Sequence, residues 1–359
     1  MDPLVSLIIV NYNGKVHLKR CIESVLKTDY NNLEILFVDN GSTDSSVVYM
    51  QEQFGKDARL RIIRNECNLG FAGGNNVGIK NSKGKYVIFL NNDTEATNSW
   101  VKELVSVAES DPSVGACQSK LLVLGSTDVL DGAGDFVTVH GLAFPRGYLD
   151  KDRYSKVEEV FSGKGAALLV RRDILNEAGF FDEAYFNGYE DVDLCWRIRL
   201  RGYKVMFVPR SVVFHVGRAS TGKSGSKELF HKHKNFLTTF LKNYNSKNMI
   251  KYLPPTVLLR LIISLSPSKD IREIYKPSTN TALKSFMWVL LHFRSIWKKR
   301  LMVQYHIRKT TDSEILNMMP HSDFEVQILK WFLFNRSSLW EYLHRLTTEY
   351  YNLKSMNRV

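Results

Sequence analysis

The chain has 359 residues, 44% of them apolar, which is ordinary for a globular protein and enough for a sizeable core in one large domain or two smaller ones. Its net charge of +12 is unevenly spread: residues 1–217 hold 25 Lys and Arg against 28 Asp and Glu, a balance of −3, and residues 218–359 hold 24 against 9, a balance of +15. This balance argues against nucleic-acid binding by the first region and for different partners of the two regions.

Val5 to Val10 is an apolar, β-branched run. It is too short for a secretory signal and has no basic residues before it, so it reads as a first buried strand. Leu18, Ile22, Val25 and Leu26 follow at helical spacing. Leu33–Val38 is a second strand, Leu60–Ile63 a short third and Tyr86–Leu90 a fourth. Between the last two, Asn68 to Asn76 is a Gly/Asn loop that runs into a helix. This alternation predicts an α/β fold with a mostly parallel sheet and helices on both faces. Ligands of such sheets bind at the carboxyl ends of the strands. Asn11, Asp39 and Asp93 each follow a strand there.

From Asp111 to about Tyr154 the pattern loosens, and turns at Asp131–Asp135 and Phe144–Gly147 predict a hairpin or irregular insert. Phe161–Val170 reads as a strand, and Tyr203–Phe207 and Ser211–His215 as two more. Glu190, Asp191 and Asp193 open a helix that continues into Trp196 and Arg197. Carboxylates are stabilised in a first turn by the helix dipole and unpaired N–H groups. Acids and a histidine at element ends suit a metal-assisted transfer reaction.

After Gly217 the character changes. Thr221–Ser226 reads as a flexible joint; it lacks the glycine spacing and leading strand of a phosphate-binding loop. Helical patterns follow over Glu228–Tyr244, Pro255–Leu265 and Ala282–Arg300, with more to the end. Thr256–Leu265 and Phe286–Phe293 are too short to span a bilayer. Beside Trp288, Trp297, Lys298, Lys299 and Arg300 they suit the membrane interface, where each basic group near an anionic leaflet contributes roughly 1 kcal/mol. Four cysteines, Cys21, Cys67, Cys117 and Cys195, form no CxxC pair, which fits free thiols in a reducing compartment.

The ordered set Val5–Gly14, Val38–Asp44, Asn68–Asn76, Leu90–Thr94, Gly163–Val170 and Glu190–Leu194 resembles the family 2 glycosyltransferases, most of all their bacterial rhamnosyltransferase branch. The similarity covers about residues 4–217. It implies a GT-A catalytic domain over 1–217, followed by a basic, mainly α-helical region over 218–359. It also implies a nucleotide-sugar donor, dTDP- or UDP-linked, and a divalent ion, Mg²⁺ or Mn²⁺, with inversion at the anomeric carbon. By position, Asn11 and Asp39 would hold base and ribose, and Asn68, Gly70 and Asn76 would flank the donor pocket. Asp93 and His215 would bind the metal. Asn91 stands where the family's metal motif has its first acid, and brings no charge; with Asn92 it would serve the donor.

A nucleoside diphosphate leaving group needs charge neutralisation and no general acid. The attacking hydroxyl needs a base, worth roughly 10²–10⁴ in rate. The resemblance gives that role to Asp191. Adjacent helix residues point about 100° apart, so Glu190 would brace acceptor or loop, and Asp193 would cap the helix or pair with Arg197. The expected acceptor is a lipid-linked or cell-surface saccharide. The expected location is the cytoplasm, peripheral to the inner face of the membrane, with self-association open to the C-terminal helices. A nucleotidyltransferase is disfavoured because Asn11–Lys15 offers a single glycine.

Overall fold

The computed structural model describes residues 2–217, 226–265 and 279–319. Its main sheet begins with a parallel half. Strands β1 (Val5–Asn11), β2 (Leu33–Asp39), β3 (Leu60–Arg64) and β4 (Tyr86–Asn91) are parallel, in spatial order β4-β1-β2-β3. Crossovers α1 (Lys15–Leu26), α2 (Ser46–Phe54) and α3 (Gly70–Asn81) connect them. Alternate side chains serve two cores: Leu7, Ile9, Ile35, Phe37 and Ile88 on one face, Ile8, Leu36, Val38, Val87 and Phe89 on the other. A sheet covered on both faces demands such uninterrupted apolar runs.

The other half of the sheet mixes directions. Strand β11 (Ala167–Arg171) lies antiparallel between β4 and β6 (Val114–Val123), and β12 (Lys204–His215) runs parallel to β6. Strands β5 (Thr94–Ala96), β7 (Leu130–Gly132) and β10 (Glu158–Glu159) extend it, and β8 (Asp135–Val137) pairs with β9 (Ala143–Pro145) as a separate hairpin. Helices α4 (Trp100–Ser110), α5 (Arg172–Ala178) and α6 (Glu190–Leu200) cover this half.

Three expectations are corrected here. The loosened stretch after Asp111 contains a central ten-residue strand, β6, before its hairpin. The strand expected over Phe161–Val170 starts only at Ala167, and Phe161–Ala166 is a loop. The two strands expected at Tyr203–Phe207 and Ser211–His215 are one. Its register jumps from Val208↔Ser119 to Val212↔Lys120, so Pro209, Arg210 and Ser211 bulge out, where the missing N–H of Pro209 interrupts no ladder.

The described C-terminal helices are α7 (Ser226–Asn243), α8 (Ser246–Leu265), α9 (Thr279–Leu291), α10 (Phe293–Met302) and the short α11 (Asp312–Leu316). α8 begins well before Pro255 and carries Pro254 and Pro255 inside it, and the single run expected over Ala282–Arg300 breaks at His292. The joint at Thr221–Ser226 lies, but for Ser226, outside the described residues, as do the helices expected beyond residue 319. Phe240, Tyr244, Val303 and Ile307 share one core with Val137, Phe161, Val192 and Trp196. Each buried Phe contributes roughly 1.5–3 kcal/mol, so these helices are welded to the α6 side of the sheet. Cys21, Cys117 and Cys195 are buried free thiols, and Cys67 is free and exposed.

Candidate active site

The parallel strands end in a shelf of amides and acids. Register places Asn11 beside Asp39, and Val10 beside Asn91. Asn11 donates through Nδ2 to Asp39 at 3.1 Å and to Ser42 Oγ at 3.0 Å, and accepts from Asn92 Nδ2 at 2.7 Å. Asp39 also receives the Ser42 N–H at 2.9 Å. A side chain at Gly14 would collide with Asn92 and Asn11. One step along the shelf, Asn68 Oδ1 receives the Gly70 N–H at 2.8 Å, and Asn40 Nδ2 donates to the Gly70 carbonyl at 2.9 Å. Gly70 has φ +72°, and a Cβ there would strike Phe186. Asn76 is not part of this shelf. Its amide donates to the Phe181 carbonyl (2.9 Å) and Glu183 (3.0 Å) and accepts from Phe181 N–H (3.1 Å), so it struts the 181–183 loop.

The antiparallel pairing of β12 with β5 sets His215 opposite Thr94 and hence against Asp93. His215 Nε2 lies 3.3 Å from Asp93 Oδ1 and 3.3 Å from Asn91 Nδ2; Nδ1 lies 3.0 Å from Asp131 Oδ2. Asp131 in turn pairs with Lys164 at 3.1 Å. Burial would push the imidazole down, but hydrogen bonds and charge from Asp131 and Asp93 outweigh it and raise it to about 9. Burial would likewise raise Asp131; Lys164 and His215 hold it far below the usual carboxylate range.

Does this group fit a divalent ion? Octahedral ligands at about 2.1 Å stand about 3 Å from their neighbours. The 3.3 Å between Asp93 Oδ1 and His215 Nε2 matches that edge. Among the described residues no three His, Cys, Asp or Glu side chains form a complete metal cage. Asp93 and His215 would therefore fit as two ligands of such an ion, and would need others to complete its shell.

The third component is the turn before α6. Phe186, Gly188 and Tyr189 all have positive φ (62°, 85° and 68°). This tight path aims Glu190 and Asp191 into the first turn of α6. The Phe186 carbonyl caps α3, receiving Phe71 N–H at 2.7 Å and Ala72 N–H at 3.4 Å. Asp191 receives the Gly165 N–H at 3.1 Å and the Val192 N–H at 2.9 Å, and burial raises its pKa against those donors. Lys164, the residue before Gly165, carries the ammonium that holds Asp131. One peptide unit thus joins the acid–histidine group to Asp191. Asp191 keeps partial access to solvent, whereas Glu190 is buried, with Oε2 lacking a hydrogen-bond partner among the described residues and its pKa pushed up by burial and by Asp191 to about 8. Asp135 is a second buried carboxyl, lifted by burial to about 7.

Helix α7 contributes residues that no motif marked. Asn235 Nδ2 faces the carbonyls of Tyr185 (2.8 Å), Asn187 (3.1 Å) and Gly188 (2.6 Å). Lys242 and Asn243 each reach Asp193 at 3.1 Å, and Asp193 pairs with Arg197 at 2.9 Å. The signal was there to read: Lys234-Asn235, Thr238-Thr239 and Lys242-Asn243 are polar pairs repeating every four residues, on a helix face that is buried.

Comparison with known proteins bears on the fold and the family of the domain. The model of the Glycosyl transferase family 2 matches residues 6–179. An uncharacterized protein of Sinorhizobium fredii, y4gI, is 30% identical over 63% of this chain and 26% of its own length. The O-antigen biosynthesis protein RfbC of Myxococcus xanthus is 30% identical over 61% of this chain and 18% of its own length. The chain thus spans about a quarter or less of these two relatives. The crystal structure of GalNAc-T7 with UDP, GalNAc and Mn²⁺ superposes with a TM-score of 0.59 at 19% identity, covering 82% of this chain and 57% of that one. At that identity the likeness speaks to the fold, which is GT-A. Residues 6–179 thus form a Glycosyl transferase family 2 domain.

Proposed function

We propose that the protein is an inverting, metal-dependent glycosyltransferase. It moves a sugar from a dTDP- or UDP-linked donor to a hydroxyl of a lipid-linked or cell-surface saccharide. L-rhamnose is the sugar favoured by the motif resemblance. The observation that carries the reading is the Lys164–Gly165 link: Gly165 N–H holds Asp191, while Lys164 holds the Asp131–His215–Asp93 chain.

In this reading Asp39 and Asn11 bind ribose and base at the ends of β2 and β1. Asp93 and His215 hold a divalent ion, with Mn²⁺ favoured slightly by the histidine nitrogen. The bound ion supplies Lewis-acid neutralisation of the diphosphate charge. Asp191 accepts the proton of the attacking hydroxyl; the Gly165 and Val192 N–H groups orient its carboxylate, and its partial exposure admits the acceptor. Glu190, buried beside it, holds the loop or the acceptor. A single displacement inverts the anomeric carbon. The solved neighbour's UDP and Mn²⁺ support the donor class and the ion, and the O-antigen relative supports a surface saccharide as acceptor.

The same reading places the protein at the inner face of the membrane. Leu283, Phe286, Met287, Leu290 and Leu291 are exposed and recur on one face of α9, with Phe293, Trp297, Leu301 and Met302 exposed on α10. The test of the activity is a panel of nucleotide sugars with Mn²⁺, dTDP-L-rhamnose first, read as nucleoside diphosphate release on adding a saccharide acceptor. Release with one donor, giving a product of inverted anomeric configuration by NMR, is expected. No release from any dTDP- or UDP-sugar would overturn the reading.

A further inference from the structure

Asp131 lies on β7 and belongs to none of the motifs above. Its carboxylate is nearly buried, 6% exposed, and stands between two nitrogen groups. Oδ2 lies 3.0 Å from His215 Nδ1 and 3.1 Å from Lys164 Nζ, and Lys164 Nζ also donates to the Asp131 carbonyl at 2.5 Å. Gly132, next in the chain, leaves room for this contact: a Cβ there would come within 3.0 Å of Lys164 Nζ.

An imidazole ligates a metal through the lone pair of one nitrogen while the other keeps its proton. The partner at the second nitrogen decides which is which. An ionised carboxylate can only accept, so Asp131 opposite Nδ1 holds a proton there, and Nε2, on the Asp93 side, is the nitrogen left to meet an ion. A lone buried carboxylate is costly, and breaking a buried pair leaves an uncompensated charge. Lys164 supplies the compensation. Resting on the metal-dependent reading, we propose that Asp131, with Lys164 as its counter-ion, is a positioning residue that aims His215 Nε2 at the divalent ion it shares with Asp93. Outer partners of this kind set affinity as well as orientation, typically by 10–100-fold.

The test uses the whole chain and Mn²⁺ alone, with binding read as loss of the free-ion EPR signal. Asp131→Asn keeps the shape but not the charge and should weaken Mn²⁺ binding about tenfold; Asp131→Ala should approach a hundredfold. Lys164→Met should weaken it as well. Asp93→Asn and His215→Ala are the controls. If both controls lose Mn²⁺ while Asp131→Asn and Asp131→Ala bind it as the parent does, the positioning role is overturned and the metal site stands. If the controls also bind as the parent does, the metal reading falls and the inference with it. A merely structural Asp131 would lower the melting temperature and leave the Mn²⁺ affinity of the folded protein unchanged. Should Asp131→Ala not fold, the isosteric Asn variant and Lys164→Met still decide.

Discussion

Two neighbouring acids at the start of α6 differ in exposure, and that difference bears on the roles proposed for them. Asp191 is oriented by two backbone N–H groups and partly open to solvent, as a base must be to meet a hydroxyl. Asp191→Asn should lower transfer by roughly 10²–10⁴ and leave Mn²⁺ binding intact; a variant that keeps most of its turnover would remove Asp191 from the base role. Glu190 is shut in, and its Oε2 has no hydrogen-bond partner among the described residues. It ionises near pH 4 in the unfolded chain, at about 4.3, and at about 8 in the fold, where burial and Asp191 oppose the charge. Across that window the folded chain keeps a proton that the unfolded chain has released, so stability falls as pH rises. Glu190→Gln has no proton to lose. Its urea midpoint should therefore drop less between about pH 5 and pH 8 than that of the parent. Parallel pH profiles would mean that Glu190 is ionised in the fold.

At the scale of elements, the turn before α6 depends on α7. Three consecutive-turn carbonyls, those of Tyr185, Asn187 and Gly188, share the single amide of Asn235. Asn235→Ala leaves them without that donor in a buried setting, which costs about 1–3 kcal/mol. The loss should appear in urea unfolding, and transfer should slow with Mn²⁺ affinity unaltered, because Asp191 directly follows this turn and His215 does not. Full turnover in a destabilised Asn235→Ala would separate the helix from catalysis. The strands β1, β2 and β4 were legible because burial on both faces leaves only apolar, β-branched choices. β6 was not, because its middle is Gln118-Ser119-Lys120. Those side chains are buried yet satisfied: Gln118 on the Ser119 carbonyl (2.7 Å), Ser119 on Ser211 (2.8 Å), Lys120 on Asp152 (2.5 Å). Partners 32 and 92 residues away cannot be read from local pattern. For the same reason Asp93 and His215 could be named from motifs, whereas Asp131, Lys164 and Asn235 emerge only when distant elements meet. Proline misled in the other direction, since Pro255 reads as a helix start and lies, with Pro254, inside one.

For the molecule as a whole, the sharpest asymmetry is α9, which is turned greasy side out. Its inward positions are Thr281, Ser285 and Val289, with Ser285 donating to the Phe230 carbonyl at 3.2 Å, while Leu283, Phe286, Met287, Leu290 and Leu291 face outward. Leu291 is 77% exposed and Tyr305 equally so. Apolar residues at such spacing normally face a core, and exposed patches of this kind mark contact surfaces. No helix among the described residues is long and apolar enough to cross a membrane. The surplus of +15 over residues 218–359 matches an anionic leaflet, each basic group near it adding about 1 kcal/mol. The protein should therefore co-sediment with vesicles of phosphatidylglycerol and phosphatidylcholine, and less so as salt rises to about 0.5 M, where the Debye length shrinks to a few ångströms. Leu290→Glu with Leu291→Glu should abolish the association, since the two side chains are 51% and 77% exposed and the fold loses little packing by the change. If the double variant still binds vesicles, the α9 face is not the membrane contact. If it stays off vesicles only because the parent does too, and parent but not variant sediments as an oligomer, the same face serves a second copy of the chain.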